Sequence, residues 1–221
     1  MSKIVHPYAH RLVILRDWKS RWIANDKKYQ EYLRTDVLLR EFLEKKLRTF
    51  YISSIEIERS QKSTRLIIRT SRPGMLIGRQ GEGSIKLKAD ITKFFNKHKI
   101  KIPEEFKIDI LEVPNPDADA KIIAMTVAEG LEKRMTFRRV MKMTIEKVMA
   151  VRGVEGARIV LGGRLGGAEI ARSEELKKGS IPLQTFRADI DFARERAHLP
   201  YGDIGIKVWI YRGEIFNEVK K

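Results

Sequence analysis

The segment Arg72-Pro73-Gly74-Met75-Leu76-Ile77-Gly78-Arg79-Gln80-Gly81 constrains the fold more than any other part of the chain. It sits where strand-like alternation stops and helical periodicity starts. Upstream, Leu39, Leu43 and Leu47 recur every four positions with Arg40, Glu44 and Lys45 between them, the core-facing stripe of a helix. Ile55 and Ile57 then alternate with Glu56 and Glu58. Leu66 and Ile68 follow beyond the polar turn Ser60-Gln61-Lys62-Ser63, which predicts a hairpin. Downstream, Leu87, Ile91, Phe94 and Phe95 make a second helical stripe, and Phe106, Ile108 and Ile110 alternate with Lys107 and Asp109. The glycine segment therefore joins helix, strand, strand to helix, strand.

Gly78 and Gly81 present no Cβ, so their backbone can lie close to a sugar-phosphate chain while Arg79 and Gln80 between them reach outward. Arg79 can donate to phosphate, and the following helix N-terminus adds oriented amides and a favourable dipole; Glu82 partly opposes that charge. A Walker A loop would need Lys and then Ser or Thr after its last glycine. A dinucleotide fingerprint would need Gly-x-Gly-x-x-Gly after one strand, and neither pattern is present. A bare Gly-x-x-Gly is also an ordinary turn. In this order of elements it matches a type II KH domain, which makes Gly78, Arg79, Gln80 and Gly81 candidate RNA-binding residues.

Val113-Pro114-Asn115-Pro116 cannot continue the strand before it, because proline has no ladder donor and restricts the preceding residue. This predicts three parts: an N-terminal arm over 1–35, without clean periodicity; a KH domain over 36–113; and a second domain over 114–221. The second domain reads as helical from about Asp117 to Val151. Strand-like runs follow at Ala157 to Leu161 and Glu169 to Arg172, and in the strict alternation of Ile204, Ile206, Val208 and Ile210. The predicted class is α+β throughout, with a mainly antiparallel sheet in the second domain.

Lys and Arg number 45 against 29 Asp and Glu, a formal charge of +16. Such an excess repels itself unless a polyanion neutralises it, and nucleic acid fits better than an anionic membrane surface or plain solubility. No apolar run approaches the roughly 18 residues of a membrane span, and no secretory signal pattern opens the chain, so an intracellular protein is expected. With no cysteine, thiolate catalysis, disulfides and Cys-ligated zinc are excluded. His6 and His10 have i, i+4 spacing but no acidic companion, so they read as polar residues of the arm rather than metal ligands. Acidic residues are spread along helices opposite lysines. No catalytic cluster, metal or cofactor is predicted.

Two further basic features stand out. On one helix, Phe137, Met141, Ile145 and Val148 form the core stripe, while Arg134, Arg138 and Lys142 line up at i, i+4, i+8 with Arg139 beside them. Like charges so spaced cost about 0.2–0.5 kcal/mol per pair unless a phosphate chain lies against them; a solvated basic face is the plainer reading. In Leu161-Gly162-Gly163-Arg164-Leu165-Gly166-Gly167-Ala168-Glu169-Ile170-Ala171-Arg172, paired glycines read as a bulged hairpin. They equally suit close approach to RNA, with Arg164 and Arg172 on phosphates.

Longer blocks carry a resemblance. They are Val5-His6-Pro7 with Arg11-Leu12, Trp18-x-Ser20-x-Trp22, Ser71-Arg72-Pro73-Gly74 running into Ile77-Gly78, and all of Gly162 to Arg172. Pro182-Leu183, Arg187-Ala188-Asp189-Ile190-Asp191 and Tyr201-Gly202 through Gly205-Ile206-Lys207-Val208-Trp209-Ile210 complete the set. Over essentially its whole length the chain resembles the family of the third protein of the bacterial small ribosomal subunit. The resemblance implies an N-terminal KH domain and a C-terminal α+β domain in the subunit head of the cytoplasmic ribosome. It implies contacts with 16S rRNA, in which Arg187 joins the candidate residues, and with the tenth and fourteenth small-subunit proteins. It also implies a place along the messenger entrance channel, where Arg138, Arg139 and Lys142, with Arg134 nearby, match residues that hold and help unwind mRNA. Two departures stand out. Family members often carry two lysines where Arg79 and Gln80 stand, which weakens any phosphate grip there, and often a threonine near Leu199-Pro200, which alters a turn. A free-standing KH-type RNA chaperone and an RNA-processing factor are the competing readings.

Overall fold

The computed structural model describes residues 5–60, 63–100 and 105–216; Gln61 and Lys62 of the expected hairpin turn lie outside the described residues. The chain forms two compact units. One is Trp18–Pro114, and the other combines the residues from Asn115 onward with those before Trp18. The chain begins in the latter with a single helical turn, α1 (Pro7–His10).

The Trp18–Pro114 unit contains β1 (Ser20–Arg21), α2 (Asp26–Lys46), β2 (Ile52–Arg59), β3 (Ser63–Thr70), α3 (Pro73–Ile77), α4 (Glu82–Lys97) and β4 (Glu105–Glu112). The sheet order is β1-β2-β3-β4. β2 and β3 pair antiparallel, with Ile57 opposite Leu66, whereas β3 and β4 pair parallel, with Leu66 opposite Ile108. A parallel pair cannot be closed by a tight turn, and α3 and α4 supply the crossover. Leu39, Leu43, Leu87, Ile91 and Phe95 bury against Ile57, Leu66 and Ile68, so both predicted helical stripes face the core.

The expected arm over 1–35 is not a separate part. α2 starts at Asp26 rather than near Asp36. Its first turns show no core stripe, since Tyr29 and Leu33 remain about half exposed, and apolar periodicity therefore gives no sign of them. A polar knot holds this region instead. The buried Asp36 carboxylate accepts from Trp22 Nε1 at 2.8 Å, Ser20 Oγ at 3.0 Å and Arg59 Nε at 3.1 Å. The Trp22 ring lies 5.1 Å from Tyr29 and 5.6 Å from Tyr32. Ser20 and Trp22 of the Trp18-x-Ser20-x-Trp22 motif are thus explained by folding, because their donors, with Arg59, hydrogen-bond the buried Asp36 carboxylate.

The second unit packs α5 (Ala120–Glu132) and α6 (Phe137–Met149) on one face of a sheet built from β5 (Gly156–Gly163), β6 (Arg172–Gly179), β7 (Ala188–Leu199) and β8 (Gly202–Glu214). The order is β6-β5-β8-β7, with every pair antiparallel. Asp119 caps α5, its Oδ1 accepting from Lys121 N at 2.9 Å and Ile122 N at 3.1 Å.

Two expectations need correction here, and two strands went unpredicted. The helical stretch 117–151 is two helices, because the chain turns at Arg134 in the left-handed region (φ +60). Arg134 N donates to Leu131 O and Met135 N to Gly130 O, the paired bonds of a Schellman ending. Glu169 to Arg172 is not a strand; only Arg172 belongs to one, at the start of β6. β6 itself is a polar edge strand whose only half-buried residues are Glu174 and Leu176, so it lacks the apolar alternation that marks a strand in sequence. β7 is masked by a register shift between Ala188 and Ile190, and by small inward residues, Ala193 and Ala197.

The far face of this sheet is covered at one end. Arg11 is fully buried and donates from Nε to Ala188 O at 2.7 Å, and from Nη2 to Thr185 O at 2.9 Å and Leu183 O at 3.1 Å. The residues before Trp18 and the loop before β7 are thereby pinned over Ile190, Trp209 and Tyr211. His6 and His10 contribute ring packing against Phe192 (4.8 Å) and Phe186 (4.3 Å).

Candidate nucleic-acid interface

In the Trp18–Pro114 unit, α3 ends at Gly78 and α4 begins after Gly81. Gly78 has φ +71 and Gly81 φ +82, so both glycines are required by the backbone. Gln80 also adopts positive φ, at +52. Arg79 and Gln80 are exposed, and their side chains make no hydrogen bond or ion pair with the described residues. Sequence reading missed Gly83. A Cβ there would lie 2.3 Å from Leu76 O, so α3 and α4 can meet at this angle only with glycine at that position. A third glycine in the first turn of α4 was the available signal.

In the second unit α6 carries the expected division of labour. Met141, Ile145 and Val148 are buried, joined by Val140, and Phe137 packs against the same core. Arg138, Arg139 and Lys142 are exposed on the other side. Arg138 reaches Glu174 of β6 at 3.5 Å and remains 73% exposed, a pairing that leaves its charge available. Arg139 and Lys142 have no ion pair with a described residue. Arg134 does not share their helical face, because it occupies the turn before α6; it is exposed there and lies four residues from Arg138 in sequence only. Thr136, the N-cap residue of α6, is the residue type that could have revealed this break.

The glycine-arginine segment is the connection between β5 and β6, whose register ends at Gly163 opposite Arg172. Gly163, Gly166 and Gly167 have φ of +145, +66 and +81, the positive angles expected for this hairpin. Arg164 is turned inward: Nε donates to Ala168 O at 2.9 Å and Nη1 to Tyr201 O at 3.2 Å, with its guanidinium 5.8 Å from the Tyr201 ring. It ties the loop to the β7–β8 turn, where Leu199-Pro200 falls. Arg172 is exposed and makes no bond to a described side chain. A Cβ on Gly166 would come within 3.9 Å of the Phe137 ring, so the loop abuts the start of α6. The structure thus brings the basic helix, Arg164 and Arg172 to one end of the unit. Arg187 is not among them. It sits at the opposite end of β7, paired with Glu214, which raises its pKa above the usual arginine value, and 5.5 Å from the Phe216 ring.

Among the described residues no group of three or more His, Asp or Glu is placed to hold a metal ion, and no helix is long and apolar enough to cross a membrane. Two family models match, a KH domain over residues 38–118 and the C-terminal domain of ribosomal protein S3 over residues 127–210. Small ribosomal subunit protein uS3 of Clostridium acetobutylicum is 44% identical over 215 residues, which is 97% of this chain and 94% of that protein. Its namesake from Caldicellulosiruptor bescii gives the same identity and coverage. The one from Acinetobacter baumannii is 43% identical over all of this chain and 85% of its own length. With both domains matched in order and similarity running nearly end to end, the chain belongs to the bacterial uS3 family of small ribosomal subunit proteins.

Proposed function

We propose that this protein is a structural component of the head of the small ribosomal subunit in the cytoplasm, where it binds 16S rRNA and lines the messenger entrance channel. Its neighbours there are the tenth and fourteenth small-subunit proteins, and it acts without catalysis, cofactor or metal. One observation carries the reading: α6 satisfies its packing with Val140, Met141, Ile145 and Val148, so Arg138, Arg139 and Lys142 contribute nothing to the core and face outward. Charges held at that spacing on a rigid, well-packed helix suit a passing phosphate chain. Arg172 extends the cationic surface from β6, and Arg164 shapes the loop beside it. Arg79 and Gln80 form a second, weaker grip, with one cation where relatives often have two.

Changing Arg138, Arg139 and Lys142 together to Ala tests the channel role. Ribosomes carrying the variant at normal content should slow on messengers with a stable downstream hairpin and read unstructured messengers almost normally. Equal rates on the hairpin reporter would return the three residues to a solvated face. Sedimentation of a lysate tests the coarser claim: the chain should travel with small subunits, and a purely free pool would favour an RNA chaperone.

A further inference from the structure

The turn between β7 and β8 carries a side chain that the fold holds in place without covering it. Leu199 pairs with Gly202, so Pro200 and Tyr201 alone make the turn. Proline fixes its own φ, and Gly202 supplies the positive φ (+117) that leads into β8, which together leave the backbone at Tyr201 little freedom. The side chain is supported from the neighbouring β5–β6 loop. A Cβ on Gly167 would touch the Tyr201 ring at Cδ2 (3.8 Å) and Cε2 (3.9 Å). The Arg164 guanidinium lies 5.8 Å from the ring centre, and its Nη1 donates to the Tyr201 carbonyl at 3.2 Å. Tyr201 is nonetheless 64% exposed among the described residues, and its hydroxyl makes no hydrogen bond with any of them.

Where the ring sits is the second observation. The loop that meets Tyr201 at Gly167 meets Phe137, the first residue of α6, at Gly166, where a Cβ would lie 3.9 Å from the Phe137 ring. Arg138 comes next on α6; it reaches Glu174 at 3.5 Å but stays 73% exposed. Arg172 opens β6 opposite Gly163, whose Cβ position lies 2.9 Å from Asp203 O, just beyond the turn in β8. An anionic chain drawn to these cations therefore runs close to the Tyr201 ring. The bases of an unpaired strand present flat π-faces, which stack on exposed aromatic rings whatever their sequence. A ring fixed in advance gives up little side-chain freedom when it is stacked upon.

We infer that Tyr201 is a stacking platform for one unpaired RNA base, set beside the phosphate-binding surface of α6 and Arg172, and that Arg164 and Gly167 position its ring. The inference rests on the RNA-binding reading above and adds a contact to a base to that surface's contacts with phosphate.

The test uses the full chain, a single-stranded oligouridylate of about 12 nucleotides as probe, and three variants whose folding is checked by circular dichroism and melting. Both Arg164 bonds end on main-chain carbonyls, so they survive each replacement of the Tyr201 side chain. Tyr201→Phe should keep the affinity within about twofold, whereas Tyr201→Ala and Tyr201→Leu should each lower it about tenfold, since leucine restores bulk but no π-face. The loss should be the same at every salt concentration, with the slope of log affinity against log salt unchanged, because stacking releases no counterions. Steep salt dependence in the unaltered protein with all three variants matching its affinity would overturn the platform and leave the phosphate reading intact. A shallower slope in Tyr201→Ala would show that the ring only places cations, and a Leu variant as tight as the unaltered protein would show a plain apolar contact; either overturns the inference. No binding by the unaltered protein would remove both readings. Unchanged RNA affinity with poor entry of the Ala variant into small subunits would assign the ring to a protein neighbour and overturn the inference.

Discussion

Arg11 and Arg139 stand in the same compact unit and carry the same charge, yet Arg11 is wholly buried and Arg139 is exposed on α6. Arg11 is ringed by backbone carbonyls, those of Ala188, Leu183 and Thr185 among them; burial pulls its pKa below the usual arginine value, and Asp189 opposes that shift. It stays protonated at neutral pH. Arg139 has no such acceptors. Each arginine takes its role from whatever unsatisfied oxygen lies within reach, and where the fold leaves none, the charge is available to a partner. The +16 charge is therefore not a count of phosphates held.

Arg11→Ala should produce the largest effect if this contrast holds. It leaves several buried carbonyls without their donor, and a loss of roughly 3–4 kcal/mol is expected in chemical denaturation, with early proteolysis in the residues before Trp18. A loss under about 1 kcal/mol would show that water replaces the guanidinium and that burial does not separate the two classes.

Arg164 lies between the extremes. Arg164→Ala removes two bonds to carbonyls at a half-buried position, so about 1–2 kcal/mol should be lost, with faster amide exchange at Gly167 and Ala168. A loss of RNA affinity with unchanged exchange would instead place Arg164 with the outward class. The smallest stability change belongs to the double replacement of Arg139 and Lys142 by Ala. Stability should stay within about 0.5 kcal/mol, while the RNA salt slope falls by about 1.4, at roughly 0.7 per phosphate. A clear destabilisation would mean that these side chains support the helix after all.

Much of the candidate interface was legible in the sequence because it depends on local rules. Gly78 and Gly81 were identifiable from their place between a hairpin and a helix, and the stripe through Met141, Ile145 and Val148 left Arg138, Arg139 and Lys142 outside by geometry alone. Arg134 was misplaced on that face because one turn at positive φ reverses the chain without glycine to announce it. β7 went unnoticed because it turns alanines inward, and alanine gives the alternation little contrast.

The sequence by itself determined the class, α+β, the KH order of the first unit, the break at Val113-Pro114, and the apolar and basic sides of α6. Each of these is written in periodicity or in the backbone chemistry of proline and glycine, and such signals act over a few residues. Only the tertiary structure decided that the residues before Trp18 fold with the second unit, that Asp36 gathers Trp22, Ser20 and Arg59, and that Arg164 turns inward. It also set Gly167 against the Tyr201 ring. These depend on which carbonyl or carboxylate meets a side chain from far along the chain, and that is fixed by strand register and packing, which no local pattern records.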